Sequence, residues 1–237
     1  MVKWIYYKTD LKRLFRDQIT TLLFFAPLLL SVIFKLLFAY LPPILLSNLD
    51  FDIMVYQHYI LSFVLVINAG LLAMVMGFSM QEDKDSHMIV LLSVTPLGKS
   101  GYMLMRFSMV AIMVFVYSFL CYAILGIYIL TLTQLLLIAI LLCFYASMFG
   151  LILFNIAEDK VSALTYAKGL NIFVLFIFSR LVNVKWVDTL SSFFPTYWIN
   201  ALIISPNDAK VTILSIVVHL VWFFGVFLFV SVKKQPA

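Results

Sequence analysis

Residues 56–80 read YQHYILSFVLVINAGLLAMVMGFSM, without a single lysine, arginine, aspartate or glutamate. About 20 mostly apolar residues cross a bilayer as a helix, so this run is long enough and apolar enough to do so. It stops at Gln81-Glu82-Asp83-Lys84-Asp85, as a span must where it leaves hydrocarbon, because charge inside is costly. Working outward, residues 19–40 form an earlier run, and Pro42-Pro43 is expected to end it because proline cannot continue the backbone ladder. Residues 102–126, 134–157, 164–184 and 211–232 follow, the last closed by Lys233-Lys234. The expectation is an all-α membrane protein with six transmembrane helices in one domain, residues 1–237.

Composition agrees. Hydrophobic residues make up 65% of the chain and charged residues 11%, against roughly 45–50% and 25% in soluble domains. A soluble globule would carry that excess as a sticky surface, so a soluble enzyme is excluded. The net charge of +5 belongs to the membrane context and not to nucleic acid. With the N-terminus inside, twelve lysines and arginines fall on the inner side and only Arg180, Lys185 and Lys210 on the outer side, with Lys35 inside the first span. That asymmetry places both termini in the cytoplasm. Cys121 and Cys143 sit in apolar runs and read as buried thiols, with neither disulfide nor zinc spacing.

The flanks carry their own patterns. In residues 1–17, Trp4, Tyr7, Leu11, Leu14 and Phe15 share one helical face, with Lys12, Arg13, Arg16 and Asp17 around the other. This is an amphipathic helix suited to the headgroup plane, or else a basic flank of the first span. The outer segment 185–210 holds Trp186, Phe193, Phe194, Tyr197 and Trp198. Pro195 is placed to open a short helix there, and Ser205-Pro206-Asn207-Asp208 to close it. A pair of short external helices, a re-entrant hairpin and a plain aromatic belt all remain open. The segments Glu82-Asp83-Lys84-Asp85-Ser86 and Glu158-Asp159-Lys160-Val161-Ser162 echo one another after the second and fourth spans. Acids at a helix C-terminus oppose its dipole, so both are expected to cap a following helix or to meet a partner.

Catalytic motifs fail. Gly98-Lys99-Ser100 resembles the end of a phosphate-binding loop, but Ser93 stands where that loop needs glycine. His58, His87 and His219 are scattered, and no metal or hydrolase signature accompanies them. Neither a catalytic nor a metal-binding set is expected. Of the polar residues within spans, Lys35 and Arg180 can snorkel outward, while Asn155 and Asn171 lie near inner ends. Asn68 and His219 are left as candidates for a substrate path, or for helix-to-helix hydrogen bonding.

The inner loop, 81–101, is the most informative segment. Its acidic cluster leads into Ser86-His87-Met88-Ile89-Val90-Leu91-Leu92-Ser93-Val94, stopped by Thr95-Pro96. Asp85 or Ser86 is expected to cap this short helix. A helix apolar all round must be covered on more than one side, either by the bundle's own inner ends or partly by a cytoplasmic partner.

At this point the residues resemble a family, the type-2 ABC transporter permeases, which include drug, antibiotic and polysaccharide exporters. The resemblance is carried by Arg16-Asp17 ending a basic N-terminal helix and by Glu82-Asp83 leading to Thr95-Pro96-Leu97. Tyr102 and Arg106 opening the third span, and Phe194-Pro195 with Trp198 before the last, complete it. Gln18 stands where many members have proline, and Asp85-Ser86-His87 where many have Gly-Thr. The resemblance implies a permease subunit that is not itself an enzyme and moves a hydrophobic or amphiphilic solute across the cytoplasmic membrane. It implies separate cytosolic ATP-binding subunits that carry the ATP and magnesium, and a second permease, identical or homologous. Glu82, Asp83, Lys84, Ser86, His87, Met88, Leu91, Thr95 and Pro96 would form the main ATPase-coupling contact, and Glu158, Asp159 and Lys160 a second. Phe194, Pro195 and Trp198 would form an external gate. A membrane-embedded enzyme and a non-transporting scaffold are the rival readings.

Overall fold

The computed structural model describes residues 12, 14–93 and 98–232. The expected interfacial helix over 1–17 lies almost wholly outside the described residues, as do Thr95, Pro96 and Lys233-Lys234. Along the chain run α1 (Gln18–Leu49), a 3-10 turn (Ile53–Tyr56), α2 (Gln57–Asp85), α3 (Met88–Ser93), α4 (Gly98–Leu125) and α5 (Leu132–Ile156). Then come α6 (Lys160–Leu170), a 3-10 stretch (Asn171–Phe178), α7 (Ser179–Val182), α8 (Lys185–Ser191), α9 (Pro195–Ile204) and α10 (Ala209–Val232). Among the described residues there is no strand. Six stretches are long and apolar enough to cross a membrane: α1, α2 with its preceding turn, α4, α5, the run from Lys160 to Val182, and α10.

Two boundaries differ from the sequence expectation. The first span does not end at Pro42-Pro43. Helix α1 carries Pro27, Pro42 and Pro43 inside it and continues to Leu49. At 1.5 Å per residue it is about 48 Å long, against a hydrocarbon core of about 30 Å. It is therefore several turns longer than a perpendicular crossing needs. Asn48 Nδ2 donates to Ile44 O at 2.9 Å, and Asp50, at φ 50°, closes the end through its N–H to Leu45 O. The Pro27 carbonyl is an acceptor for two side chains: Ser31 Oγ donates to it at 2.8 Å and Cys121 Sγ at 3.7 Å. The fifth span is not one α-helix over 164–184. It starts at Lys160, and its middle, Asn171–Phe178, is 3-10 helix, a run longer than that geometry usually sustains. Thr196 Oγ1 of α9 donates to Phe173 O at 2.6 Å and so serves one carbonyl of this stretch.

The core is built on α2 and α5. In their most apolar windows 78% and 67% of residues are buried, against 17% for α1 and α10 and 22% for the fifth span. Two glycines let α2 and α5 approach. A Cβ at Gly150 would meet Met76 Sδ at 2.9 Å and Ala73 O at 3.2 Å, and one at Gly77 would meet Leu153 Cβ at 3.1 Å. Close backbone approach at small residues is how membrane helices gain packing where no hydrophobic effect drives them together. Both cysteines are free, Cys121 buried and Cys143 half-buried, contrary to the expectation that both are buried.

Candidate functional site

One end of the bundle is charged, and its centre is the last turn of α2. Consecutive residues on a helix point about 100° apart, so Gln81, Glu82 and Asp83 address three different neighbours. Gln81 Nε2 donates to Ala157 O at 2.5 Å, just beyond the end of α5. Glu82 Oε1 accepts from Lys160 Nζ at 2.6 Å, and the same ammonium reaches Asp17 Oδ2 at 2.6 Å. Asp17 in turn caps α1, accepting from Thr20 N at 2.8 Å and from the Thr20 hydroxyl. Asp83 Oδ2 accepts from Tyr102 Oη at 2.9 Å and pairs with the Arg106 guanidinium, both on α4. Three adjacent side chains thus tie α2 to the start of α1, to α4, to the end of α5 and to the start of α6.

The two halves of this brace differ in burial. Gln81, Asp83, Tyr102 and Arg106 are all buried, with Asp83 1% exposed. A buried pair of opposite charges barely repays its own desolvation, but removing one partner leaves an uncompensated charge. The Lys160 cluster is half-buried, with its side chains 22–29% exposed. Burial by itself pushes the Asp17 carboxyl up, but the hydrogen bonds from Lys160 and Thr20 and the lysine charge outweigh it and hold the group below the usual range. Asp159 caps α6 in a reciprocal box with Ser162, and the Ser162 backbone N–H and hydroxyl hold its carboxyl low.

The echo of two acidic segments is therefore resolved differently at each copy. Asp159 caps a following helix as expected. Glu82, Asp83 and Asp85 do not: they belong to the last turn of α2, which runs to Asp85. Ser86 Oγ donates back to Glu82 O at 2.7 Å, and His87, at φ 54°, breaks the helix. Neither Asp85 nor Ser86 caps α3. Its first bond is Leu91 N–H to His87 O at 3.2 Å. The acids sit at a C-terminus because they have cations to meet. Asp83, expected in the main ATPase-coupling contact, is turned inward. Lys84, Ser86, His87, Met88 and Leu91 are exposed, Leu91 at 60%, while Ile89 packs onto the core. Among the described residues, helix α3 is thus covered on one side by α2 and α4 and bare on the other, where Met88 and Leu91 are exposed. Glu158 and Val161 are likewise exposed beside the α6 cap.

The path candidates are engaged locally. Asn68 Nδ2 donates to Ser31 Oγ at 3.1 Å and ties α2 to α1. His219 is 1% exposed, with Nδ1 2.7 Å from Ser215 O in its own helix. The structure does not bring the two together.

At the opposite end, α8 and α9 form a hairpin whose turn reaches deep into the bundle. Trp222 Nε1 donates to Phe193 O at 2.7 Å. Trp222 lies about 20 Å along α10 from Ala209, past the middle of that helix. Phe194 stacks on Phe176 at 4.2 Å between centroids and on Phe173 at 5.0 Å. Pro195 occupies the first turn of α9, and residues 195–203 are all buried. Trp198 Nε1 donates to Ser192 O at 2.7 Å, and Asn200 Nδ2 to Ser62 Oγ at 2.9 Å. Arg180 Nη2 donates to Tyr197 Oη at 2.9 Å. Of the three arrangements left open, this is the pair of short helices folded as a re-entrant hairpin. Phe194, Pro195 and Trp198 come together in it.

Sequence reasoning missed Gln81 and Asn200 as ties and the partnership of Asp83 with Arg106. A signal existed for the last. Two opposite charges bordering successive spans, each beside long apolar runs, must find one another or reach water.

Fold and site define a class: a multi-pass helical membrane protein with an exposed arm braced to the spans at one end and a re-entrant hairpin at the other. The family model described as "Fluoroquinolones export permease protein Rv2686c-like" matches residues 10–230. The chain belongs to this family of export permeases, in keeping with the type-2 ABC permease resemblance. No curated protein and no solved structure matches it.

Proposed function

We propose that this chain is the membrane subunit of an ATP-driven exporter for an amphiphilic solute, with fluoroquinolone antibiotics as the first class to test. The family description supports that choice. Separate cytosolic ATP-binding subunits carry ATP and magnesium and dock on the exposed face of α3, with Glu158, Asp159 and Lys160 as the second contact. Both termini and the charged end face the cytoplasm of the inner membrane, as the lysine and arginine asymmetry implies. A second permease completes the transport path, and Phe194, Pro195 and Trp198 close it on the outer side.

The observation that carries this reading is the brace directly above α3. A docked motor moves the spans only if its contact differs in strength between two arrangements of the bundle. Gln81, Glu82 and Asp83 link the root of α3 to four other membrane elements, so displacement of the arm is felt by all of them at once. A freely hinged arm would dissipate it. Lys84 and His87 offer polar contacts that set fit and encounter rate, while Met88 and Leu91 supply the apolar anchor.

The experiment is affinity purification with mass spectrometry, followed by reconstitution into vesicles. The unaltered chain is expected to bring down an ATP-hydrolysing subunit and, with it, to move a fluoroquinolone when ATP is supplied. Met88→Glu with Leu91→Glu is expected to lose that subunit while thermal melting is unchanged. A chain that binds no ATPase and supports no ATP-dependent solute movement would be a scaffold, and the proposal would fall.

A further inference from the structure

A lateral groove of about 400 Å³ lies between the charged-end half of α5, the hairpin turn and α10. Ile152 and Asn155 form one wall, Ser192 and Phe193 the closed end, and Trp222 and Gly225 part of the other wall. Along α10 it extends from Val217 to Val230, about 20 Å of helix. It opens toward the membrane: Val221 is 63% and Phe229 61% exposed.

We propose that this groove holds one acyl chain of a phospholipid from the leaflet at the charged end, with the lipid's ester or phosphate oxygen at Asn155. Three observations select this occupant. First, the groove runs from beside the end of α5 along α10 to Val217, comparable with one leaflet of a hydrocarbon core about 30 Å thick. Along that length its walls are mostly aliphatic and aromatic, as a hydrocarbon chain requires. Second, its polarity is one-sided. Asn155 Nδ2 is buried and has no acceptor among the described residues, one residue before the end of α5, at headgroup depth. At the deep end the Phe193 carbonyl is already taken by Trp222, so nothing there asks for a polar partner. Third, an unpaired amide donor is costly where water is absent, and a lipid oxygen arriving with its chain in the groove satisfies it. The head therefore sits at Asn155 and the chain end at the hairpin turn, where it supports Phe193 and Phe194 from beneath.

The test counts phospholipids kept by the full chain after mild detergent extraction from vesicles of phosphatidylethanolamine and phosphatidylglycerol. The unaltered chain is expected to keep one tightly held lipid. A Cβ at Gly225 meets nothing within 4 Å, so Gly225→Leu fills the groove without displacing α10 and is expected to lower retention about ten-fold. Asn155→Leu is expected to lower it less, keeping the chain contact and losing the head. A second measurement leaves the groove unaltered: phospholipids brominated at mid-chain are expected to quench tryptophan fluorescence, and Trp222→Phe to remove the most strongly quenched component. Equal retention in all three chains, or equal quenching with and without Trp222, overturns the proposal. A Gly225→Leu chain that keeps its lipid but no longer pairs with a second copy, or no longer binds a fluoroquinolone, overturns it too. No readout includes a transport step, so the outcome is independent of the export reading.

Discussion

Asp83 and Arg106 are the residues on which the charged end depends most. Arg106→Leu removes the guanidinium that pairs with the buried Asp83 carboxylate. The expected loss is about 3–5 kcal/mol, seen as an early thermal unfolding transition of the detergent-solubilised chain. Asp83→Leu with Arg106→Leu removes both charges and is expected to recover most of that loss. Asp17 gives a pH test. Its carboxyl is held below the usual value of 3.8, so its pairing stabilises the fold above that value and is lost as pH falls through the lower folded value. Asp17→Asn keeps a good helix cap but loses the ion pair, at a cost of no more than about 1 kcal/mol for so exposed a cluster. The gap in melting temperature between the two chains is therefore expected at neutral pH and to close in strong acid.

At the scale of elements, the α2–α5 contact decides the bundle. Gly150→Ala puts a Cβ 3.2 Å from the Ala73 carbonyl, which cannot turn aside as the nearby Met76 side chain can. The helices must part, at an expected cost of about 1–3 kcal/mol. Gly225→Ala, with open space around it, is the matched control. It is expected to be neutral or slightly stabilising, since glycine inside a helix costs about 0.5–1 kcal/mol relative to alanine. Melting temperatures of the two chains separate these outcomes. Elements were legible in the sequence to differing degrees. The six spans were visible because length and apolarity are local properties. The continuation of α1 past Pro42-Pro43 was not: proline by itself reads as a stop, and the bonds that close the helix come later, at Asn48 and Asp50. Pro195 marked the start of α9 correctly, because its fixed φ suits a first turn. No local signal gave the depth of the hairpin, which is set by Trp222 reaching Phe193 and by the stack of Phe194 on the fifth span.

For the molecule as a whole, docking and coupling are separable. The bare face of α3 would bind a motor, and the Lys160 and Gln81 ties would pass its movement on. Gln81→Leu is therefore expected to keep an ATPase bound while ATP-driven solute movement falls. The arm variant Met88→Glu with Leu91→Glu is expected to lose both. Pull-down and vesicle uptake, run side by side, check the distinction. If the brace variant retains full transport, the arm works through some other route.

The sequence by itself determined that the chain lies in a membrane, crosses it six times and carries an apolar arm after an acidic stop. Hydrocarbon imposes those features on each segment separately, so each can be read alone. Only the tertiary structure decided that Asp83 faces inward, that Lys160 joins segments 78 and 143 residues away, and that a hairpin enters the bundle from the far side. Such partners are chosen by packing between distant segments. A charge in sequence shows that a counter-charge is needed, and the fold alone says which one it finds.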